Sequence, residues 1–403
     1  IAIATKEFDA TLTVEESRLI ASAFVKWLQK RYPSKKITEL IIGIGRDSRI
    51  SGPELTKEFI KVLSAFGVHV IDFEMATTPS MFMATQFEEF NCDATVMFTA
   101  SHLPYYYNGL KFFTREGGLE SSDIRDIIAL VDEKEELPQG SVSTIEVKSI
   151  FERYSRHLVE LIRKGSQSGK EKPLEGLHII VDAGNGAGGF FAKSVLEELG
   201  AKTEGSQFLD PDGTFPNHIP NPDNKEAMES IKKQVLAVNA DYGVIFDTDV
   251  DRAAVVTGSG ELLNRNNLIA VLSVIVISEH PGTTIVTNSP TTEHLKKFIM
   301  KLGGHQYRYI SGYRNVINKA IELNNQGIDC QLAIETSGHA AFKENYFLDD
   351  GAYVVAKILM LLPRLVAKGE TLDSLIKKLV QPKEVVEVRF KIETEDFKAK
   401  GLE

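Results

Sequence analysis

Short apolar runs alternate along this chain with longer stretches whose apolar residues recur at helical spacing, and glycine marks the change from one to the other. The pattern occurs three times. Leu40–Gly45 leads into the polar loop Arg46–Arg49, a helical stretch Glu54–Ala65, Phe66-Gly67 and a strand Val68–Phe73. Leu177–Val181 leads into the loop Asp182–Gly189, a helix Phe190–Leu199, Gly200 and a weaker strand. Thr283–Thr287 leads into Asn288–Thr292, a helix Glu293–Leu302, Gly303 and a strand Gln306–Ile310. Strands alternating with helices of this length predict βαβ units. Glycine directly after the last apolar helical residue is a helix stop. An amphipathic helix over Val14–Leu28 precedes the first unit, with Trp27 and Tyr32 as packing residues.

The fold class expected is α/β, with three related α/β domains built on mixed, mostly parallel sheets and the start of a fourth, α+β domain. The acidic, Pro/Gly/Ser-containing stretch 132–143 sets the first boundary near 145. The end of a strand Ala253–Val256 sets the second near 262. The resulting division is 1–144, 145–262, 263–382 and 383–403, with a new strand at Glu384–Ile392 opening the last piece.

Composition narrows the class. The 403 residues are 43% hydrophobic and 25% charged, as in ordinary water-soluble domains with real cores. The longest apolar stretch, Leu268–Ile277, is interrupted by Ser273 and falls short of the ~18 residues that span a bilayer. A net charge of −10 argues against a nucleic-acid partner while leaving room for a locally basic pocket. Cys92 and Cys330 stand far apart in apolar surroundings and read as buried free thiols. A reducing compartment is expected: the cytoplasm, or a plastid stroma if a transit peptide has been removed.

Chemistry concentrates in a few loops. A β-rich run Ala94–Phe98 ends in Thr99-Ala-Ser-His102, and Pro104 and Asn108-Gly109 then force turns. Ser101 on such a turn is placed to act as a nucleophile, with Lys111 near enough in sequence to handle a proton or hold a phosphate. Phe246-Asp-Thr-Asp-Val-Asp-Arg252 lies between two apolar runs. In extended chain, alternate side chains share a face at ~6.6 Å intervals, so Asp247, Asp249 and Asp251 can converge. Three convergent carboxylates repel unless a cation neutralises them, and an all-oxygen set suits Mg²⁺. An EF-hand does not fit, because Arg252 and Gly258 stand where glycine and glutamate are needed. The plainer alternative is a solvated acidic turn. Arg252 beside the cluster suits a phosphoryl oxygen. The loop Glu335-Thr-Ser-Gly-His339 reads either as a sugar-hydroxyl grip through Glu335 and Ser337, with His339 donating to a hydroxyl or phosphate, or as a capped turn with a structural histidine. Gly184-x-Gly186-x-x-Gly189, with Asp210 further on, has the form of a dinucleotide fingerprint. The same unit recurs without these glycines, which favours a tight strand-to-helix connection. Arg46-Asp47-Ser48-Arg49 reads as a salt-bridged domain contact, although either arginine could touch substrate.

Taken together, the serine loop 99–102, the turn Asn108–Lys111, the loop Asp247–Arg252 and the loop Glu335–His339 resemble the α-D-phosphohexomutase family, over essentially the whole chain. The resemblance implies four domains, a phosphoserine, one Mg²⁺ and a hexose 1,6-bisphosphate primer, in a monomer or homodimer acting on hexose phosphate. It implies Ser101, His102 and Lys111 as catalytic residues, with Lys111 as general acid/base. Asp247, Asp249 and Asp251 would bind Mg²⁺ with a phosphoserine oxygen, and Arg252, Glu335, Ser337 and His339 would bind substrate. The implied reaction interconverts hexose 1-phosphate and hexose 6-phosphate, of glucose or mannose. Leu103, Thr248, Val250 and Tyr313 depart from the family pattern, which has asparagine, two glycines and a charged group there. The fourth-domain Ser-Gly-Thr-Glu-Pro type loop and the Gly/Arg segment before the first helix are not found either. These departures motivate an alternative, a catalytically impaired relative that binds sugar phosphate as a regulatory protein.

Overall fold

A computed structural model describes residues 1–132, 136–138 and 143–386. The first helix spans Val14–Arg31, a turn longer than its apolar pattern, and starts at a reciprocal cap between Thr13 and Glu16. Trp27 is buried on it, and Tyr32 is the residue that ends it. The first and third βαβ units form as the sequence pattern predicts, and the second only in part. The helices are stopped by Gly67, Gly200 and Gly303 at φ of 83°, 93° and 88°, a backbone region that side-chain-bearing residues rarely adopt.

The strands make three sheets. In the first, β1 (Ile41–Arg46), β2 (His69–Met75), β3 (Ala94–Phe98), β4 (Leu110–Thr114), β5 (Gly117–Gly118) and β6 (Ile145–Val147) lie in the order β5-β4-β3-β1-β2-β6. The second holds β7 (Ile179–Asp182), β8 (Tyr242–Phe246), β9 (Ala253–Thr257) and β10 (Leu262–Leu263) in the order β10-β9-β8-β7. The third holds β11 (Thr284–Asn288), β12 (His305–Tyr309), β13 (Cys330–Ile334), β14 (Ala340–Phe342) and β15 (Leu348–Asp349) in the order β12-β11-β13-β14-β15. Parallel pairs occupy one side of each sheet, β3-β1-β2-β6 in the first, β8-β7 in the second and β12-β11-β13 in the third, and antiparallel pairs the other. The weaker strand expected after Gly200 is reduced to single bridges, His178 to Lys202 and Asp182 to Gln207. The helix before it is a π-helical turn over Ala192–Glu197.

One apolar core runs through all three units. It joins Phe73 and Phe113 of the first, Phe191 and Phe246 of the second, and Ile285 and Phe342 of the third. Smaller clusters cover the opposite face of each sheet. The apolar stretch around Leu268–Ile277 is a helix, Arg265–Glu279, buried on nearly all sides, as an all-round apolar helix must be. Among the described residues no helix is long and apolar enough to cross a membrane. Cys92 and Cys330 are both free and fully buried. Burial pushes their thiols up to about 12 and about 11, so neither is reactive. Most of the expected strand Glu384–Ile392, and with it the start of a fourth domain, lies outside the described residues.

Candidate active site

Each of the three chemical loops connects a parallel strand to the antiparallel strand beside it. Residues 99–109 join β3 to β4, 247–252 join β8 to β9, and 335–339 join β13 to β14. The loops leave the ends of adjacent sheets and meet. Ser101 sits at φ 51°, a left-handed turn that aims its Oγ out of the loop. That Oγ donates to Asp247 Oδ2 at 3.1 Å and accepts from Arg252 Nη2 at 3.3 Å. Arg252 also donates through Nε to Asp247 Oδ2 at 3.2 Å and through Nη2 to His102 Nδ1 at 2.5 Å. A histidine nitrogen that accepts from a guanidinium is unprotonated. Burial, and then the Arg252 charge, bring the His102 imidazole down to about 4.

Asp247, Asp249 and Asp251 converge as the alternation predicts, each buried and offering an oxygen within 4.8 Å of the others. A solvated acidic turn is therefore ruled out. Lys111 Nζ on β4 lies 2.8 Å from Asp249 Oδ2 and 2.7 Å from Asp251 Oδ2. Burial works to lower the Lys111 ammonium, but these two carboxylates outweigh it and hold it well above the usual lysine range. Asp247 has no lysine partner. Its burial, and then repulsion by Asp251 and Asp249, raise its carboxyl well above the usual range. For Asp251 burial is outweighed by Lys111 and His339, and its carboxyl is lowered. Asp249 Oδ1 and Asp251 Oδ1 are buried without a hydrogen bond. Orphaned carboxylate oxygens of this kind suit a hard divalent cation, and the residues present fit one.

The third loop reaches the same centre through His339, which forms a β-bridge with Arg252. Its Nδ1 hydrogen-bonds Asp349 on β15, its ring stacks on Tyr313 at 5.0 Å, and Asp251 Oδ1 lies 3.8 Å away. Glu335 turns inward: its Oε1 accepts from Gly312 N at 2.6 Å, and the residue is 5% exposed. It thereby secures the start of the helix Tyr313–Asn325. The Ser337 hydroxyl is buried without a partner. Ser101, His102, Lys111, the aspartates, Arg252 and His339 are thus one cluster, with Glu335 and Ser337 in the loop that carries His339.

Several contributors carry no signal of their own in the sequence. Thr78 donates from Oγ1 to Asp249 Oδ2, and its backbone N donates to Asp249 O at 2.9 Å. Asp349 fixes His339. Arg49, which the sequence marks as part of a salt-bridged domain contact, pairs with Asp47, lies under the Phe215 ring of the second unit and is buried under the serine loop. The Gly184–Gly189 fingerprint has a structural explanation. A Cβ at Gly186 would lie 2.6 Å from Thr248 O, and one at Gly189 would lie 2.1 Å from Leu209 O. The glycines admit the protein's own backbone.

A continuous cavity of about 420 Å³ borders Lys111, Asp251, Tyr313 and Asp349 and opens between the first and third units. Comparison with known proteins follows the same three-part division. Residues 4–138, 152–260 and 264–382 match, in order, the phosphoglucomutase/phosphomannomutase alpha/beta/alpha domains I, II and III. A phosphomannomutase/phosphoglucomutase of Pseudomonas aeruginosa is 33% identical over 339 residues, 83% of this chain and 69% of that protein. A phosphoglucomutase of Neisseria gonorrhoeae is 31% identical over 343 residues, 85% of this chain and 71% of that protein. The crystal structure of a phosphoglucomutase/phosphomannomutase family protein from Burkholderia thailandensis superposes with a TM-score of 0.76 at 29% identity, covering 92% of this chain and 77% of that one. With all three of its sheet-bearing units matched in order, the chain belongs to the phosphoglucomutase/phosphomannomutase family.

Proposed function

We propose that this protein is an intramolecular phosphotransferase that interconverts hexose 1-phosphate and hexose 6-phosphate through a phosphorylated Ser101, with glucose and mannose phosphates as substrates. One observation carries the reading: Ser101 Oγ lies between the Arg252 guanidinium, at 3.3 Å, and Asp247 of the aspartate trio, at 3.1 Å. A phosphoryl group on that oxygen adds about 1.5 to 2 negative charges beside Asp247, which only cations make tolerable. Arg252 supplies one and is placed to donate to a phosphoryl oxygen. Asp247, Asp249 and Asp251 would hold a divalent cation, Mg²⁺ by its oxygen preference, and when bound it would supply further charge neutralisation at the phosphoserine.

In the forward half-reaction a hydroxyl of the sugar phosphate attacks the phosphorus. The bond to Ser101 Oγ breaks, a hexose 1,6-bisphosphate forms, and the hydroxyl proton leaves to a neighbouring base. After the bisphosphate turns over, the other phosphoryl group returns to Ser101, and the same chemistry runs in reverse. Lys111, held as an ammonium by two carboxylates, is suited to donate to the oxygen that leaves. His339, braced by Asp349 and Tyr313, is suited to the sugar hydroxyl or its phosphate. A hexose 1,6-bisphosphate primes the unphosphorylated enzyme.

Conversion of glucose 1-phosphate and of mannose 1-phosphate to the 6-phosphates, assayed with Mg²⁺ and a bisphosphate primer, tests this. Ser101→Ala is expected to abolish both conversions with an unchanged circular dichroism spectrum; full activity in that variant refutes the phosphoserine. A second reading, a sugar-phosphate-binding protein without turnover, is favoured by two features. Leu103 stands 41% exposed on the serine loop, and Tyr313 is stacked over His339. Binding of hexose phosphate with no conversion by the wild-type protein would select it.

A further inference from the structure

Arg49 is the largest fully buried side chain among the described residues, and four backbone carbonyls of the serine loop converge on its guanidinium. Nη1 donates to Pro104 O at 2.8 Å and to Tyr107 O at 3.0 Å. Nη2 donates to Leu103 O at 2.7 Å and to Ser101 O. The planar fork matches carbonyls pointing inward from a tight turn, which an ammonium does not reproduce. Asp47 holds the fork from behind: its Oδ2 lies 3.3 Å from Arg49 Nε, and its Oδ1 accepts from Arg49 N at 3.0 Å. The same Oδ2 accepts from Thr99 Oγ1 at 2.6 Å, and Thr99 Oγ1 accepts from Ser101 N at 2.9 Å. Both sides of the Ser101 peptide are thus tied to one ion pair. The second unit closes the pocket. The Phe215 ring covers the guanidinium at 5.3 Å, and a Cβ at Gly213 would lie 2.3 Å from Ser48 O.

We infer that Arg49 is the positioning residue for Ser101: it gathers the carbonyls of residues 101–107, holds Ser101 in its left-handed conformation, and so aims Oγ at Arg252 and the aspartates. It touches neither substrate nor the transferring phosphoryl group. The catalytic consequence rests on the phosphoserine reading above; the ordering of the loop does not.

Arg49→Lys and Arg49→Met in the full chain separate the two. Amide hydrogen exchange over residues 100–108 is expected to speed up at least about tenfold in both, with the helix Gly52–Ala65 unchanged. Incorporation of phosphate into Ser101 from glucose 1,6-bisphosphate, followed by intact mass, is expected to slow about 100-fold, the scale of an ångström-sized misplacement. Glucose 6-phosphate affinity, measured by calorimetry, is expected to stay within about threefold, because Arg49 makes no ligand contact. Unchanged exchange and unchanged phosphorylation in Arg49→Lys overturn the inference, as does equal loss of affinity and rate. Should the variants fail to fold, the wild-type protein still decides the matter. Its Arg49 Nη protons are expected as separate, slowly exchanging NMR signals, and rapid exchange with water overturns the inference. A wild-type protein that takes up no phosphate defeats the phosphoserine reading alone, since the exchange and NMR results stand independently.

Discussion

Val250 holds φ at 63° in the middle of the aspartate loop, a conformation that costs a β-branched residue about 1 to 2 kcal/mol. The family resemblance has glycine there. The side chain is fully buried in the core shared by the three units, which returns roughly 1.5 to 3 kcal/mol. Burial therefore wins, and the strain is carried by the loop that places Asp249 and Asp251. Val250→Gly relieves the strain as it loses the burial, so the two changes largely cancel. Val255 on β9 is a control, equally apolar and 2% exposed, but in a strand where glycine brings only loss. Val250→Gly is expected to cost about 1 to 2 kcal/mol less than Val255→Gly in urea unfolding, from the strain relieved at the first site, since the entropic cost of glycine falls on both. Equal costs would mean that the backbone of Val250 is unstrained.

At the scale of elements, the repeated feature is the exit from a parallel strand into an antiparallel neighbour, made by β3, β8 and β13; the strand beside β8 ends instead in a polar group that must be held. In the second unit Asp182 ends β7 and is fully buried, with His218 Nε2 2.9 Å from its Oδ2. Burial works to lower the His218 pKa, but the bond to Asp182 and its charge outweigh that and raise it. A histidine pKa raised by folding stabilises fully below the ordinary value and loses that contribution as pH climbs through the folded value. The stability difference between wild type and His218→Gln is therefore expected to be larger near pH 6 than near pH 9, on either side of the ordinary histidine value of about 6.5. Urea midpoints at the two pH values measure it; a difference that grows with pH would show that the pair is not ionic. The elements themselves were readable from the chain. Ala94–Phe98 forms a strand with the bounds that its β-rich run predicts, and the strand expected at Ala253–Val256 runs one residue further, Ala253–Thr257. The aspartate trio was readable too, because alternation along one strand end is a local property. What braces the site was not. Thr78 meets Asp249 across 171 residues of sequence, and Arg49 meets the serine-loop carbonyls across more than 50. Such partners are selected by packing between sheets, and no residue spacing encodes it. Glu335 illustrates the same limit: its Oε1 accepts from Gly312 N, a partner that only the fold brings near.

Across the whole molecule, the site exists only if three sheets keep their relative positions, since Ser101, the aspartates and His339 come from different units. The shared core supplies most of that rigidity, and a polar tie runs through it. Helix Ile150–Ser166 of the second unit packs on helix Gly351–Ala367 of the third, closely enough that a Cβ at Gly165 would lie 2.2 Å from Met360 Sδ. At the start of the second of these helices, Tyr154 Oη donates to both oxygens of Asp350 at 2.8 Å. Asp350 is 2% exposed and caps that helix by accepting from Tyr353 N at 2.9 Å. Burial pushes its carboxyl up to about 6, so the phenol hydroxyl is one of few groups compensating a carboxylate out of water. Tyr154→Phe keeps the ring in the core and removes that donor alone, at a cost of about 1.5 to 3 kcal/mol, the range for a hydrogen bond to a charged group. Because the core is continuous, the second and third units are expected to unfold together, and calorimetry of the variant should show one transition moved to lower temperature. Two resolved transitions, with only one displaced, would mean that the units melt independently and that the geometry around Ser101 is maintained by contacts between the loops themselves.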